Sequence, residues 1–167
     1  GESREHCVVI GGLQMNGKKE DDVNVSDLTL RKSNMRGVCG NNGASVHLDN
    51  VSVEYSELDG VFVGGTKRST MKNCNVSHSK GSGLEVNGGL MTISGNATAI
   101  HHNGTEEYNY GLNTYNSSGS IHLVSPLTKE MISTNNHAGQ NYSAPPWYRS
   151  QLTIQTITNN TKEEEKK

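Results

Sequence analysis

Apolar and polar residues alternate in short bursts that recur along the chain. Leu28 and Leu30 flank Thr29, Val51 and Val53 flank Ser52, Cys74 and Val76 flank Asn75, and Ala97 and Ala99 flank Thr98. Such alternation marks a strand with one buried face. A shift of 23 residues superimposes these bursts and aligns further columns. Gly37, Gly60 and Gly83 form one, followed by Val38, Val61 and Leu84, and then by Gly40, Val63 and Val86. Ser33, Ser56 and Ser79 precede the glycines, and Asn50, Asn73 and Asn96 mark a turn. Each repeat reads as strand, turn, strand, turn, third strand.

A strand-and-turn unit of this length cannot bury its apolar side alone, so neighbouring repeats must stack. The expected fold is all-β, a right-handed parallel β-helix of about five to six coils. At ~4.8 Å per coil its core is about 25 Å long. The asparagine column is structural, because Asn tolerates the left-handed conformation and its amides stack from coil to coil. After Asn96 the period loosens. Gly111 and Leu112 echo Gly83 and Leu84 at a spacing of 28, which predicts a loop inserted at 101–110. Another strand is expected at 120–124, and an earlier coil at 7–10 and 13–15 followed by a polar turn at 16–22. Coils thus cover 6–126. Residues 127–158 are expected to form a less regular cap, with Trp147 on the last apolar layer and a final strand at 151–157. The charged tail, 159–167, is expected to be disordered. The chain opens close to a strand, with no amphipathic helix to cover the first coil. Missing sequence or a neighbour is expected to do so.

Composition narrows the function. Only 31% of the 167 residues are hydrophobic, with 19 Gly, one Phe and one Trp, as suits a thin core of strands and turns. The net charge of −2 and the scattering of 15 Lys and Arg give no footprint for nucleic acid. No apolar run approaches the ~18 residues of a membrane span. Cys7, Cys39 and Cys74 lack metal-ligand spacing. Sequons occur at Asn24, Asn50, Asn75, Asn96, Asn103, Asn116, Asn141 and Asn159, which a chain rich in Asn, Ser and Thr generates by chance. An extracellular or virion-associated setting fits this composition.

The Gly37-Val38, Gly60-Val61 and Gly83-Leu84 columns, the phrase Val51-Ser52-Val53 and the run from Ser79 to Val86 resemble the right-handed β-helix repeat superfamily over about residues 6–126. That superfamily includes pectate lyases, polygalacturonases, alginate epimerases, phage tailspikes and uncharacterised proteins of algae and large DNA viruses. The resemblance implies the fold. Its members differ in chemistry, so activity must come from a site.

No complete catalytic motif is present. A lyase needs carboxylates on one face for calcium and a nearby Arg or Lys as base. The best acidic group, Glu20, Asp21 and Asp22 with Asp27 nearby, reads as a solvated turn, and Glu54, Glu57, Asp59 and Glu85 lie on different coils. Arg31, Arg36, Lys67 and Arg68 could reach an anionic sugar, yet nothing fixes them near the acids. The paired Asp and Gly-His-Gly of a polygalacturonase and the Asp-Pro-His-Asp of an epimerase are absent. His47, His78 and His122 sit in other coils than His101 and His102, which as strand neighbours point to opposite faces. Neither metal nor cofactor is expected, calcium entering only with a lyase. Cys74 and Cys7 fall in inward columns, Cys7 with Leu30, Val53 and Val76. Cys39 shares an outward, exposed column with Phe62, Glu85 and Asn113.

The expected function is a non-catalytic binding or scaffold module. Its flat strand face of Thr29, Ser52, Asn75 and Thr98, with Tyr55, Phe62 and the Tyr108 and Tyr110 loop, offers hydroxyls and aromatic rings to a polysaccharide or glycan, or to a partner protein. The alternatives are a polysaccharide lyase or epimerase, and a structural component of a virion or other assembly bound to neighbouring subunits.

Overall fold

The computed structural model describes residues 7–18, 21–115, 118–143 and 153–158. The chain forms a nearly all-β parallel solenoid of about four turns, slightly fewer than the five to six predicted. Shorter strands extend its ladders at either end.

Three ladders define three faces. Face 1 stacks β1 (Val8–Ile10), the second half of β3 (Asp22–Arg31), the second half of β5 (Ser45–Glu54), β7 (Asn75–Ser77), β9 (Ala99–His101) and β12 (Ser133–Thr134). Face 2 stacks β2 (Leu13–Asn16), β4 (Val38–Asn41), the first half of β6 (Val61–Lys72), the first half of β8 (Leu84–Ser94) and β10 (Leu112–Thr114). Face 3 takes the remaining halves of β3, β5, β6 and β8, then β11 (Gly119–Val124) and β13 (Ile154–Ile157). Every pairing is parallel, so backbone hydrogen bonds run from coil to coil.

The inward columns are those of the 23-residue pattern. Val38, Val61, Leu84 and Leu112 stack on face 2, and Leu30, Val53, Val76 and Ile100 on face 1, all essentially without solvent contact. Met71, Met91, Ile93, Ile121 and Leu123 supply face 3. A buried side chain of this size stabilises by roughly 1.5–3 kcal/mol.

Corners are built by position-specific residues. Between faces 1 and 2 a Cβ on Gly60 would stand 2.7 Å from the Gly83 carbonyl oxygen, and one on Gly83 2.8 Å from the Gly111 oxygen. Backbone of the next coil fills the space, so only glycine fits. The serine column, Ser33, Ser56 and Ser79, is buried inside the same corner. Asn103 and Asn136 take its place higher up. Asn103 accepts from the Ser79 N–H at 3.0 Å and donates to the Val76 oxygen at 3.0 Å. Asn136 Oδ1 accepts from the Asn103 N–H at 3.0 Å. The turn between faces 3 and 1 is made by Asp27, Asn50 and Asn73, all at positive φ, and Asn50 donates to Asp27 at 2.8 Å. Asn96 has left that column; Gly95, at φ +82°, occupies the turn next to Asn73.

Two register changes correct the predicted columns. A bulge between Thr66 and Ser69 shortens the face 3 spacing, and the turn at 95–97 lengthens the next. Asn75 therefore pairs with Ala99 and Val76 with Ile100. Ala97 is exposed and Ala99 faces outward, whereas Thr98 is buried and donates to the Ser94 oxygen at 2.8 Å. At the other end Val9 pairs with Leu30, so Cys7 is not in that inward column and is exposed.

The inserted segment is a loop, as predicted, with Leu112 paired to Leu84 on its far side. Beyond residue 126 a short helix α1 (Lys129–Ile132) leads into β12, Tyr142 bridges to Leu112, and β13 lies on β11. Trp147, Pro145, Pro146 and the tail from 159 lie outside the described residues.

Val61 has no solvent exposure and sits between Val38 and Leu84. Val61→Asp buries an unpaired carboxylate, a cost of about 3–5 kcal/mol against a total stability of about 5–15 kcal/mol. Urea denaturation and far-UV circular dichroism should find the variant largely unfolded; a native midpoint would show that this column does not face inward.

Candidate functional site

The predicted ligand residues do not share one surface. Thr29, Ser52 and Asn75 are in register on face 1, but the fourth member of that ladder is Ala99, and Thr98 points inward. Thr29 and Ser52 are only 3% and 5% exposed, because small side chains in mid-sheet are shielded by the coils above and below. Their neighbours are committed to each other: Asn75 Nδ2 donates to Ser52 Oγ at 3.2 Å, Ser52 donates to Glu54 Oε1 at 3.0 Å, and Glu54 pairs with Arg31 at 2.8 Å. Tyr55 stands at the face 1 to face 2 corner, 49% exposed. Tyr108 projects from the inserted loop, 71% exposed, while Tyr110 is partly buried, its N–H donating to Ser82 Oγ at 3.2 Å.

Phe62 belongs to face 2, whose outward column is Gln14, Cys39, Phe62, Glu85 and Asn113. Cys39 faces outward as expected, yet it is buried rather than exposed, like Phe62. Arg36 explains this. Its guanidinium lies 4.0 Å from the centroid of the Phe62 ring while Nε donates to Asp59 Oδ2 at 3.0 Å. Asp59 Oδ1 accepts from the Ser82 N–H at 3.0 Å. Glu85 is half-buried, and Asn113 donates to its Oε2 at 3.1 Å. Burial, reinforced by the negative charge of Asp59, raises the Glu85 carboxyl above its usual range, with the Asn113 hydrogen bond and Arg36 opposing. The structure thus brings Arg36, Asp59 and Glu85 to one strip, although they lie far apart in sequence.

Beside this strip runs a second outward row, Asn16, Asn41, Gly64 and Asn87. It opens into a groove of about 440 Å³ lined by Asn41, Asn42, Gly64, Gly65, Asn87 and Phe62. Gly64 leaves the edge of the Phe62 ring uncovered there: a Cβ would lie 3.2 Å from Phe62 Cε1. Exposed Tyr115 follows β10 at the same side, its N–H bonded to the Val86 oxygen at 3.1 Å. The amides carry no catalytic signature, so only the period, applied to outward positions, could have selected them.

The acidic turn does not gather into a cation site. Asp22 binds Arg68 at 3.2 Å and His47 at 3.3 Å, contacts that hold its carboxyl below the usual range, with the His47 hydrogen bond foremost. Asp27 is likewise lowered, chiefly by Asn50. Glu20 and the Lys67 side chain lie outside the described residues. Among the described residues no group of three or more His, Cys, Asp or Glu side chains is placed to hold a metal ion. Cys7, Cys39 and Cys74 form no disulfide with one another. No helix among the described residues is long and apolar enough to cross a membrane. Comparison with protein-family models, with curated proteins and with solved structures finds no match.

Because the Glu85 carboxyl is raised in the folded chain, its contribution is fully present below the unfolded value and lost as pH rises through the folded one. Glu85→Gln, which keeps an acceptor for Asn113, should raise the urea midpoint at pH 7 and leave it unchanged near pH 3. An equal shift at both pH values would refute the electrostatic origin.

Proposed function

We propose that this chain is a non-catalytic carbohydrate-binding module on a β-solenoid scaffold, and that its site is the face 2 groove. The observation that carries this reading is the groove itself, where Asn amides, glycine backbone and an aromatic ring edge meet in an open, uncharged trough. Amides both donate and accept, and an aromatic edge beside them suits a ring that is hydroxyl-rich at its rim and apolar on its face. The row Asn41, Gly64 and Asn87 advances at the coil spacing of ~4.8 Å, so an extended glycan lying along the solenoid axis meets an amide, bare backbone beside the Phe62 edge, and a second amide in turn. Arg36 neutralises Asp59, which leaves the Glu85 carboxyl beside the groove to disfavour uronates, and the ligand class is therefore neutral sugars.

The 23-residue repeat supports placing the chain with pectate-lyase-like and tailspike-like β-helices as a scaffold. It supports no particular activity. Asp59 is held by Arg36 and a backbone N–H, and its part here is to fix Arg36 across Phe62.

The test is a panel of neutral and acidic polysaccharides, scored for binding and for shortened or unsaturated products with and without calcium. Binding of neutral glycans without turnover is expected. Asn87→Ala should weaken it about tenfold, or about 1.4 kcal/mol, with the far-UV circular dichroism of the native chain retained. Product formation would make the protein a lyase or epimerase, and silence in both channels would favour a structural part of an assembly.

A further inference from the structure

The first coil leaves face 1 through Gly11, and each later coil through a non-glycine residue in the left-handed conformation: Lys32, Tyr55, His78, His102 and Asn135, with φ between 53° and 58°. Their positions are in register, so like corners stack. The middle three carry rings. Tyr55 stacks on His78 with centroids 4.8 Å apart, and His78 stacks on His102 at 5.3 Å with the rings nearly parallel. The left-handed turn at His102 also swings its ring to the side of His101, so the two neighbours meet edge to face at 5.0 Å. Strand alternation had placed them on opposite faces.

The hydrogen bonds fix who carries which proton. Glu54 accepts from Ser52, and Ser52 accepts from Asn75 Nδ2, which turns Asn75 Oδ1 toward His101. That oxygen lies 2.9 Å from His101 Nε2, which must therefore carry a hydrogen. His101 Nδ1 is left with a lone pair, 2.7 Å from His102 Nδ1, which donates to it. Donation thus runs one way from His102 through His101, Asn75 and Ser52 to Glu54, where Arg31 donates from the other side. His101, with both ring nitrogens engaged, has no place for another proton. Protonation of His101 would put two N–H groups head to head and set a cation beside the rings of His78 and His102.

We propose that the Tyr55–His78–His101–His102 corner is an acid-sensitive device, a ring stack closed while His101 is neutral that comes apart into an exposed cationic surface when His101 takes up a proton. Groups facing the cluster supply no compensation. From β5 and the corner after it come Glu54, engaged by Arg31, and Tyr55; from β7 and its corner, Asn75, Ser77 and His78; from β12 and its corner, Thr134 and Asn135. Among the described residues no carboxylate forms an ion pair with any of these three imidazoles; the histidine that does so is His47 on face 3. In keeping with this, burial, then His102, then His78 lower the His101 imidazole from its ordinary 6.5. The unfolded chain therefore binds this proton more readily than the folded one. The stability His101 contributes is complete above the ordinary histidine value and is lost as pH falls through the folded one.

The corner can open without unfolding the rod. The next residue, Asn103, is fully buried and anchored to Ser79, Val76 and Asn136, so the change is confined to the two histidines and their stack. Opening uncovers one face of the Tyr55 ring and places positive charge beside the Tyr108 loop.

The experiment is an NMR titration of the whole chain from pH 8 to pH 4, following histidine side-chain nitrogens, Tyr55 ring protons and amide exchange. His101 should titrate below an ordinary histidine as the Nε2–H tautomer. Tyr55 ring shifts should change with the same midpoint, and the His102 amide, bonded to the Asn135 oxygen at 3.2 Å, should lose protection while Val61 and Leu84 keep theirs. His102→Asn retains a residue that tolerates the corner and should move the His101 titration upward. A His101 titration at or above the ordinary histidine value, Tyr55 shifts indifferent to it, or loss of Val61 protection at the same pH in both proteins would each overturn the proposal.

Discussion

Parallel stacking at one coil spacing is the constraint on which the rest of this structure depends. Because each coil hydrogen-bonds to the next through its backbone, a side chain's principal neighbours are the residues about 23 positions before and after it. This rule makes an apolar column a continuous core with few apolar residues per coil. It also brings Gly83 carbonyl so near Gly60 that no Cβ fits. A single change in spacing rotates every later contact, and the proof is the turn at 95–97, which exchanges the roles of Ala99 and Ile100.

The same rule explains what could be read in advance. The columns of Val38, Val61 and Leu84, the glycine corner and the inserted loop were legible because burial and close approach leave few residue types possible. The shifted register on face 1 was not, since Ala97, Thr98, Ala99 and Ile100 are all compatible with either phase. That ambiguity misplaced Thr98. The groove beside Phe62 was hidden for another reason: Asn41, Asn87 and Gly64 are turn-like residues that a strand edge uses in the same way whether or not a ligand binds. Arg36 covering Phe62 depends on a side-chain path across coils, which no spacing along the chain encodes.

Stacking also disciplines charge. Identical residues repeated at every coil would set like charges in contact, and this chain alternates them instead. Arg31 meets Glu54, Arg36 meets Asp59, Asp49 meets Lys72 and Glu57 meets Lys80, each pair 23 residues apart. Exposed pairs of this kind contribute only about 0–1 kcal/mol. Their larger effect is to remove repulsion that a shifted register would restore, so they help hold the coils in phase.

The corner of His78, His101 and His102 departs from that arrangement. Here groups of one kind stack on successive coils with no acid between them. Neutral imidazoles bear this well, since ring stacking and the His102 to His101 hydrogen bond both favour it. Charged imidazoles do not. A solenoid tolerates like residues in register only while they are uncharged, so histidine in a stacked column is stable or strained according to pH. The coil spacing that builds the core therefore also converts one corner from an ordinary surface turn into a place where protons and structure are coupled.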